Sequence, residues 1–363
     1  SSPMRQHPPL TLSCTRLSPS AAPASHSSLA LCGRACPSGT DKNVAELLQQ
    51  VAKERLGYNL TEIGGIMVAD RAAKGVAAAA GIEEEEVCLM HDGDKLGASA
   101  VGELVRTKNK VAVNPFSEGK AVMQNATNTA KHFSYGSSRI DKLHDFCKLT
   151  NEAPIRPCVI KNGTRVAALW RLVHSLLRMP RALNMYAQAF ANEESGELGW
   201  TAPTKLEAEI EAVLYVTQLT SLLAQCERFF NGAYRVVIIN LTLGALREQR
   251  SQLVQIVDLS QPTTAAILPR KPIQMSEMSE TGKECLLRAL LEGERRFCSN
   301  NTEEINDSDI IMSRREKCAS MLDLRTTKGG HLNTAQLSAC KEVLYEEYAK
   351  FAMTANATKL VKQ

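Results

Sequence analysis

Residues 1–40 contain no Asp or Glu, aromatic residues make up 5% of the chain, and no apolar run approaches the length of a membrane span. Each absence excludes something. About 18 consecutive apolar residues are needed to cross a bilayer as a helix, so no transmembrane helix is expected. An acid-free opening segment cannot supply a metal-binding carboxylate. With so few aromatic rings, any core must be packed by Leu, Ala, Val and Met. The 11 Cys are scattered without regular spacing, unlike a disulfide framework, and suit a reducing compartment. The net charge of +4 is largely that of the opening arm, whose only charges are Arg5, Arg16 and Arg34. The rest is close to neutral, so net charge is no argument for nucleic-acid binding.

What is present begins with that arm. Rich in Ser, Pro and Ala, residues 1–40 bury too little apolar surface to fold alone and are expected to be disordered. The same composition fits an organelle transit peptide or a linker. With Ser at position 1, a piece of a longer product is expected.

The stretch from Ile63 to Lys95 carries most of the chemistry. Ile63 to Val68 has the pattern of a short strand buried on both faces, and Asp70 sits where such a strand emerges. A carboxylate there can hold a divalent cation, or it can cap the helix that follows. Ala72 to Ala80 is nearly pure alanine and Gly81 closes it, which predicts a short helix packed tightly on a sheet. A second strand is expected over Glu86 to Met90, so that Cys88 and His91 lie near the same sheet edge as Asp70. Cys88 and His91 also resemble half of a zinc site, although no second pair lies at zinc-finger spacing. Glu83 to Glu86, four like charges in a row, reads as a solvated turn.

These residues resemble the hAT superfamily of cut-and-paste DNA transposases. In that family an Asp follows an apolar run in the pattern D-x-A-x-N, and a Cys/Asp-x-x-His motif comes later. Asp70-Arg71-Ala72-Ala73 is similar to the first, with Lys74 in place of Asn, and Cys88-Leu89-Met90-His91 to the second. Gly163-Thr164-Arg165-Val166 resembles the family's Thr-Arg-Trp element with Val166 replacing Trp, and Leu322-Asp323-Leu324-Arg325 resembles Leu-Asp-Pro-Arg with Leu324 replacing Pro. Four matches in the family's order are more specific than any one of them. The resemblance implies a partial ribonuclease-H-like sheet followed by a large all-helical insertion. It also implies Mg2+ held by Asp70 as one catalytic carboxylate, DNA as partner, a structural role for Cys88 and His91, action in the nucleus, and self-association through the inserted helices. Such sites gather three carboxylates around two divalent ions. The family's first Asp and last Glu have no recognisable counterpart here, so an incomplete, central fragment of a transposase is expected. The expected division is 1–40 as arm, 41–95 as the partial ribonuclease-H-like segment and 96–363 as the helical part.

Local charge supports DNA as a partner better than net charge does. No acid lies between Ala153 and Asn192, where Arg156, Lys161, Arg165, Arg171, Arg178 and Arg181 supply six cations. Arg171, His174, Arg178 and Arg181 recur at helical spacing opposite Leu169, Leu172, Val173, Leu176 and Leu177, which predicts one amphipathic helix with a basic, phosphate-contacting face. The alternative is a surface neutralised by the acidic segment Glu193 to Glu211. Helices are expected near 93–106, 118–148, 164–190, 205–229, 234–258, 277–298, 304–322 and 334–355 from apolar residues at three and four spacing. Val236 to Leu243 fits a buried helix better than a strand, and Pro262, Pro269 and Pro272 mark a loop. Trp170 and Trp200 can stack on a displaced base, but the apolar side of its helix suits Trp170 to the core. Two functions follow. One is a transposase-derived, DNA-binding polypeptide with an incomplete catalytic site. The other is a non-catalytic helical protein that binds DNA, a protein partner or itself.

Overall fold

The computed structural model describes residues 29–31, 34–36, 40–57, 59, 61, 66–69, 75–82, 84–104, 106–108, 111–112, 115–134, 137–158, 167–190, 201–226, 231–298, 310–322, 329–330 and 332–361. The chain is mostly helical and divides into two compact units, Ser1–Asp92 and Gly93–Gln363. No described helix is long and apolar enough to cross a membrane.

In the first unit, β1 (Leu29–Leu31) and β2 (Arg34–Cys36) pair antiparallel, so the arm expected to be disordered contains a short hairpin. Helix α1 (Asp41–Leu56) starts where Thr40 accepts the Asn43 N–H at 3.4 Å and stops at Gly57, whose φ of 77° suits a residue without Cβ. Strand β3 (Ile66–Ala69), helix α2 (Val76–Ala79) and strand β4 (Glu84–Val87) follow, with β3 and β4 parallel and Ala69 opposite Val87. The strand, helix, strand order is as expected, but the second strand begins and ends earlier. Glu84 to Glu86 belong to β4 rather than to a turn, because pairing with Ile66 to Val68 fixes their backbone. Val44, Ala45 and Leu48 of α1 pack with Val76 and Ala80 into a small core. The small alanines let the two helices approach closely.

Helix α3 (Leu89–Ala100) begins directly after Cys88. In the second unit, β5 (Thr107–Lys108) and β6 (Val111–Ala112) form a short ladder, followed by α4 (Ser117–His132) and α5 (Ser137–Thr150). One helix was expected over 118–148; it is two, the first ending at His132 and the second starting at Ser137. The helix expected over 164–190 is also two, α6 (Ala168–Leu177) and α7 (Pro180–Ala189). Pro180 cannot continue a helix through its own missing N–H, and it occupies the first turn of the next one instead.

Helix α8 (Lys205–Cys226) is the central element, packed against α6, against α9 (Asn231–Ser251), against α10 (Glu280–Phe297) and against strand β7 (Leu253–Val257). Of residues 207–218 all but Tyr215 are buried, so this helix is covered on every side. Val236 to Leu243 is helical within α9, as expected. The helix expected to reach 258 stops at Ser251, because Leu253–Val257 pairs antiparallel with β8 (Arg270–Gln274), burying Val254 and Ile256 while Leu253 and Gln255 face outward. Pro272, expected in a loop, lies in β8, where an edge strand tolerates its missing donor. Helices α11 (Arg314–Leu322) and α12 (Thr334–Val361) complete the fold, packed on each other, with α11 also on α9.

Candidate functional site

Strand β3 ends at Ala69, one residue before Asp70, and β4 ends at Val87, one residue before Cys88. Asp70 itself lies outside the described residues, as do Arg165 and Trp200. Cys88 stands between β4 and α3 and His91 lies in the first turn of α3, where the Cys88 carbonyl accepts the N–H groups of His91 at 3.1 Å and Asp92 at 3.2 Å. Partial burial pushes the Cys88 thiol up, but hydrogen bonds from the His91 ring and the His91 and Met90 N–H groups, together with the imidazole's charge, hold it below its ordinary value. Burial raises Cys147 and Cys285 with no such offset, each to about 12. Cys88 is therefore expected to alkylate with iodoacetamide at neutral pH at least about tenfold faster than Cys147 or Cys285, and His91→Ala to slow Cys88 while leaving it ahead of those two buried thiols. Peptide mass spectrometry of a timed reaction measures both. Equal rates for the three thiols would contradict this assignment. Among the described residues no group of three or more His, Cys, Asp or Glu is placed to hold a metal ion.

The basic residues do not share one helix face. Arg171 is exposed on α6. Arg178, just past the end of α6, donates to the Ala265 carbonyl at 3.1 Å. Arg181 lies on α7 with its Nε 3.5 Å from Glu152 Oε1. His174 points to Glu211. The expectation of a continuous basic face fails at Pro180, which restarts the helix and takes Arg181 out of register with Arg171 and His174.

Glu211 organises the most elaborate side-chain cluster of the second unit, and the sequence reading did not single it out. Its carboxylate is fully buried on α8. Oε1 accepts the Trp170 Nε1–H at 2.8 Å, His174 Nδ1 at 3.1 Å and Arg270 Nη2 at 2.9 Å. An ionised carboxylate only accepts, so His174 Nδ1 carries the proton. Arg270 lies over the Tyr215 ring at 4.3 Å from its centroid and gives its other amine to the Gln255 carbonyl at 3.1 Å. The Trp170 and His174 rings are 4.5 Å apart. Burial pushes the Glu211 carboxyl up, yet the His174, Arg270 and Trp170 donors more than offset it and hold the group below its ordinary value. The cluster pins the β7–β8 hairpin to α6 and α8. It also orients one imidazole through a buried carboxylate.

Two neighbouring glutamates on α8 act as caps. Glu207 accepts the Thr204 N–H at 2.7 Å, and Glu209 accepts the Ser279 N–H at 3.1 Å at the start of α10. Gly282 allows this approach, since a Cβ there would lie 2.5 Å from a Glu209 oxygen. The available signal was Glu207, Glu209 and Glu211 alternating through an otherwise apolar helix: steps of two residues turn about 200° around a helix, so three such carboxylates cannot share one solvated face.

Compared with models of protein families, with curated proteins and with solved structures, the chain matches none of them.

Proposed function

We propose that this chain is a transposase-derived protein of the hAT type that binds DNA, with residues 41–95 a remnant of a ribonuclease-H-like core, acting in the nucleus and catalytically incomplete. The observation that supports the reading is the parallel pairing of β3 with β4, strands that the two family-like motifs follow in the sequence, Asp70 next after Ala69 and Cys88 next after Val87. A mostly helical unit then follows, in the order the resemblance implies. Mg2+ is the implied ion and Asp70 its implied ligand, but one carboxylate does not make a two-ion site, and no described group completes it. Titration of Mn2+ is expected to give no heat that Asp70→Ala removes; Asp70-dependent binding would restore the catalytic reading.

The DNA arm is tested by fluorescence anisotropy with a labelled duplex across ionic strengths. Binding that weakens steeply with salt is expected, and Arg171→Ala should lower the slope of log affinity against log salt by about 1. Absence of binding at low salt would refute DNA as the partner. A second reading, a non-catalytic helical protein that recognises other proteins, is favoured by one observation: His174, Arg178 and Arg181 are engaged within the chain rather than presented to phosphates.

A further inference from the structure

Helices α11 and α12 pack on each other, and their covered positions show which faces meet. On α12, Gln336 and Cys340 are buried and Val343 and Glu347 half-buried, at spacings of four, three and four, the stripe of one helix face. Every position from Tyr348 to Phe351 is exposed, so α11 lies beside the first half of α12. The register comes from Arg314, the first residue of α11, whose guanidinium holds Glu346 Oε2 at 2.6 Å and also reaches Glu347. With α11 starting at Glu346 and Glu347 and covering the positions before them, the two helices run antiparallel. Cys318 is one turn after Arg314 and on the same face, about 6 Å along α11, while Cys340 lies about 9–10 Å back from Glu346 and Glu347 along α12. The two cysteines therefore face each other across the seam, offset by less than one helical turn. Their charges agree with this placement. Burial pushes both thiols up, and Cys318 is among the groups that raise Cys340, against the opposing Lys317.

We infer that Cys318 and Cys340 are a redox-active dithiol, which a small disulfide of the glutathione class closes into a staple between α11 and α12. Cys318 is half-buried and Cys340 fully buried, and both are free thiols in the structure, so the accessible sulfur reacts first. The Cys318 thiolate attacks one sulfur of the oxidised glutathione, forming a mixed disulfide and releasing one glutathione thiolate. The Cys340 thiolate then attacks the Cys318 sulfur, forming the Cys318–Cys340 bond and releasing the second glutathione. Two protein thiols are oxidised, one glutathione disulfide is reduced to two thiols, and the two cysteine protons pass to the two departing thiolates. In a reducing compartment the pair stays open and closes when the disulfide pool rises, the behaviour of a redox-sensing pair rather than of a structural framework. Closure fixes the covered half of α12 to α11, and this consequence is independent of DNA binding.

The full chain is incubated without oxygen with oxidised glutathione at about pH 8, quenched with iodoacetamide and digested without reductant for mass spectrometry. Peptides joined through Cys318 and Cys340 are expected to be at least about tenfold more abundant than any other protein disulfide that uses either residue, and to revert with dithiothreitol. Their rate of formation should not depend on protein concentration. Cys340→Ala should stop at the glutathione mixed disulfide on Cys318, and Cys318→Ala should leave Cys340 a thiol. Circular dichroism checks that each variant keeps its helices, and the wild-type crosslink is decisive even where a variant unfolds. Glutathione retained on Cys318 of the wild-type chain, both thiols unmodified, or a disulfide between two copies would each overturn the inference.

Discussion

Glu211→Ala is expected to destabilise the Gly93–Gln363 unit by about 3–5 kcal/mol, the range for breaking a buried ion pair from one side. The carboxylate has no solvent exposure, and its removal leaves three donors without their acceptor, at 2.8 Å from Trp170, 3.1 Å from His174 and 2.9 Å from Arg270. Arg270 bears most of the cost, being only 21% exposed and held against Tyr215, where water replaces the lost partner only in part. Glu211→Gln keeps the shape and one acceptor oxygen and should cost less. Urea unfolding followed by tryptophan fluorescence reads the difference, since Trp170 is itself a donor in the cluster. The pH dependence has a defined sign. Burial pushes this carboxyl up, His174, Arg270 and Trp170 pull it further down, and its folded value is below the ordinary one. The stability it contributes is complete above the unfolded carboxylate value and disappears as pH falls through the lower folded value. Acid unfolding of the wild-type chain should therefore be steeper than that of Glu211→Gln over that window. A loss of less than about 1 kcal/mol in Glu211→Ala, the value of an exposed pair, would mean that the cluster is solvated rather than buried.

Local signals were the legible part of this fold. The apolar run before Asp70, the alanine segment and Gly81 place a strand, a helix and a stop within twenty residues, and the structure has them in that order, Gly81 with φ of 72°. Apolar spacing likewise located α8 and α10 to within about three residues, and the start of α9 but not its end. Long-range pairing was illegible. Leu253–Val257 continues the apolar spacing of α9 and becomes a strand only because Arg270–Gln274 lies beside it. Glu211 entered only as the last residue of an acidic segment that could neutralise the basic helix, and its contact with His174 on that helix agrees with that alternative. One of its three donors is Arg270, 59 positions away, whose role no local pattern announces. The same blindness made a basic face of Arg171, His174, Arg178 and Arg181: spacing groups them, while Pro180 and the acceptors on other elements separate them. Asp70 and Arg165 rest on motif resemblance alone, because both lie outside the described residues.

Glu152→Ala is expected to cost about 3 kcal/mol, for a reason that also bears on Arg181. Helix α7 opens with Pro180 and its preceding residue, Met179, provides no side-chain cap. The first free N–H groups are capped from another element. Glu152, buried just past the end of α5, accepts the Arg181 N–H at 3.1 Å with Oε1 and the Ala182 N–H at 2.8 Å with Oε2, and Oε2 also accepts the Thr150 hydroxyl at 3.0 Å. Its charge stands at the positive end of the α7 dipole and faces the Arg181 guanidinium, so one carboxylate caps α7, ties it to α5 and holds a cation inward. Amide hydrogen exchange at Arg181 and Ala182 should accelerate in the variant ahead of exchange in α8, which the change does not touch. The Cys147 thiol supplies a second readout. Burial, and after it the Glu152 charge, pushes it up to about 12, so Glu152→Gln should lower its value while leaving it well above an exposed thiol. The functional consequence is conditional on the partner. If DNA is bound through this surface, releasing Arg181 from Glu152 adds a phosphate-contacting cation, and Glu152→Gln should bind duplex more tightly at low salt with a steeper salt dependence. Unchanged duplex affinity beside faster exchange at Arg181 and Ala182 would confine Arg181 to a structural role and move the DNA-contacting surface elsewhere.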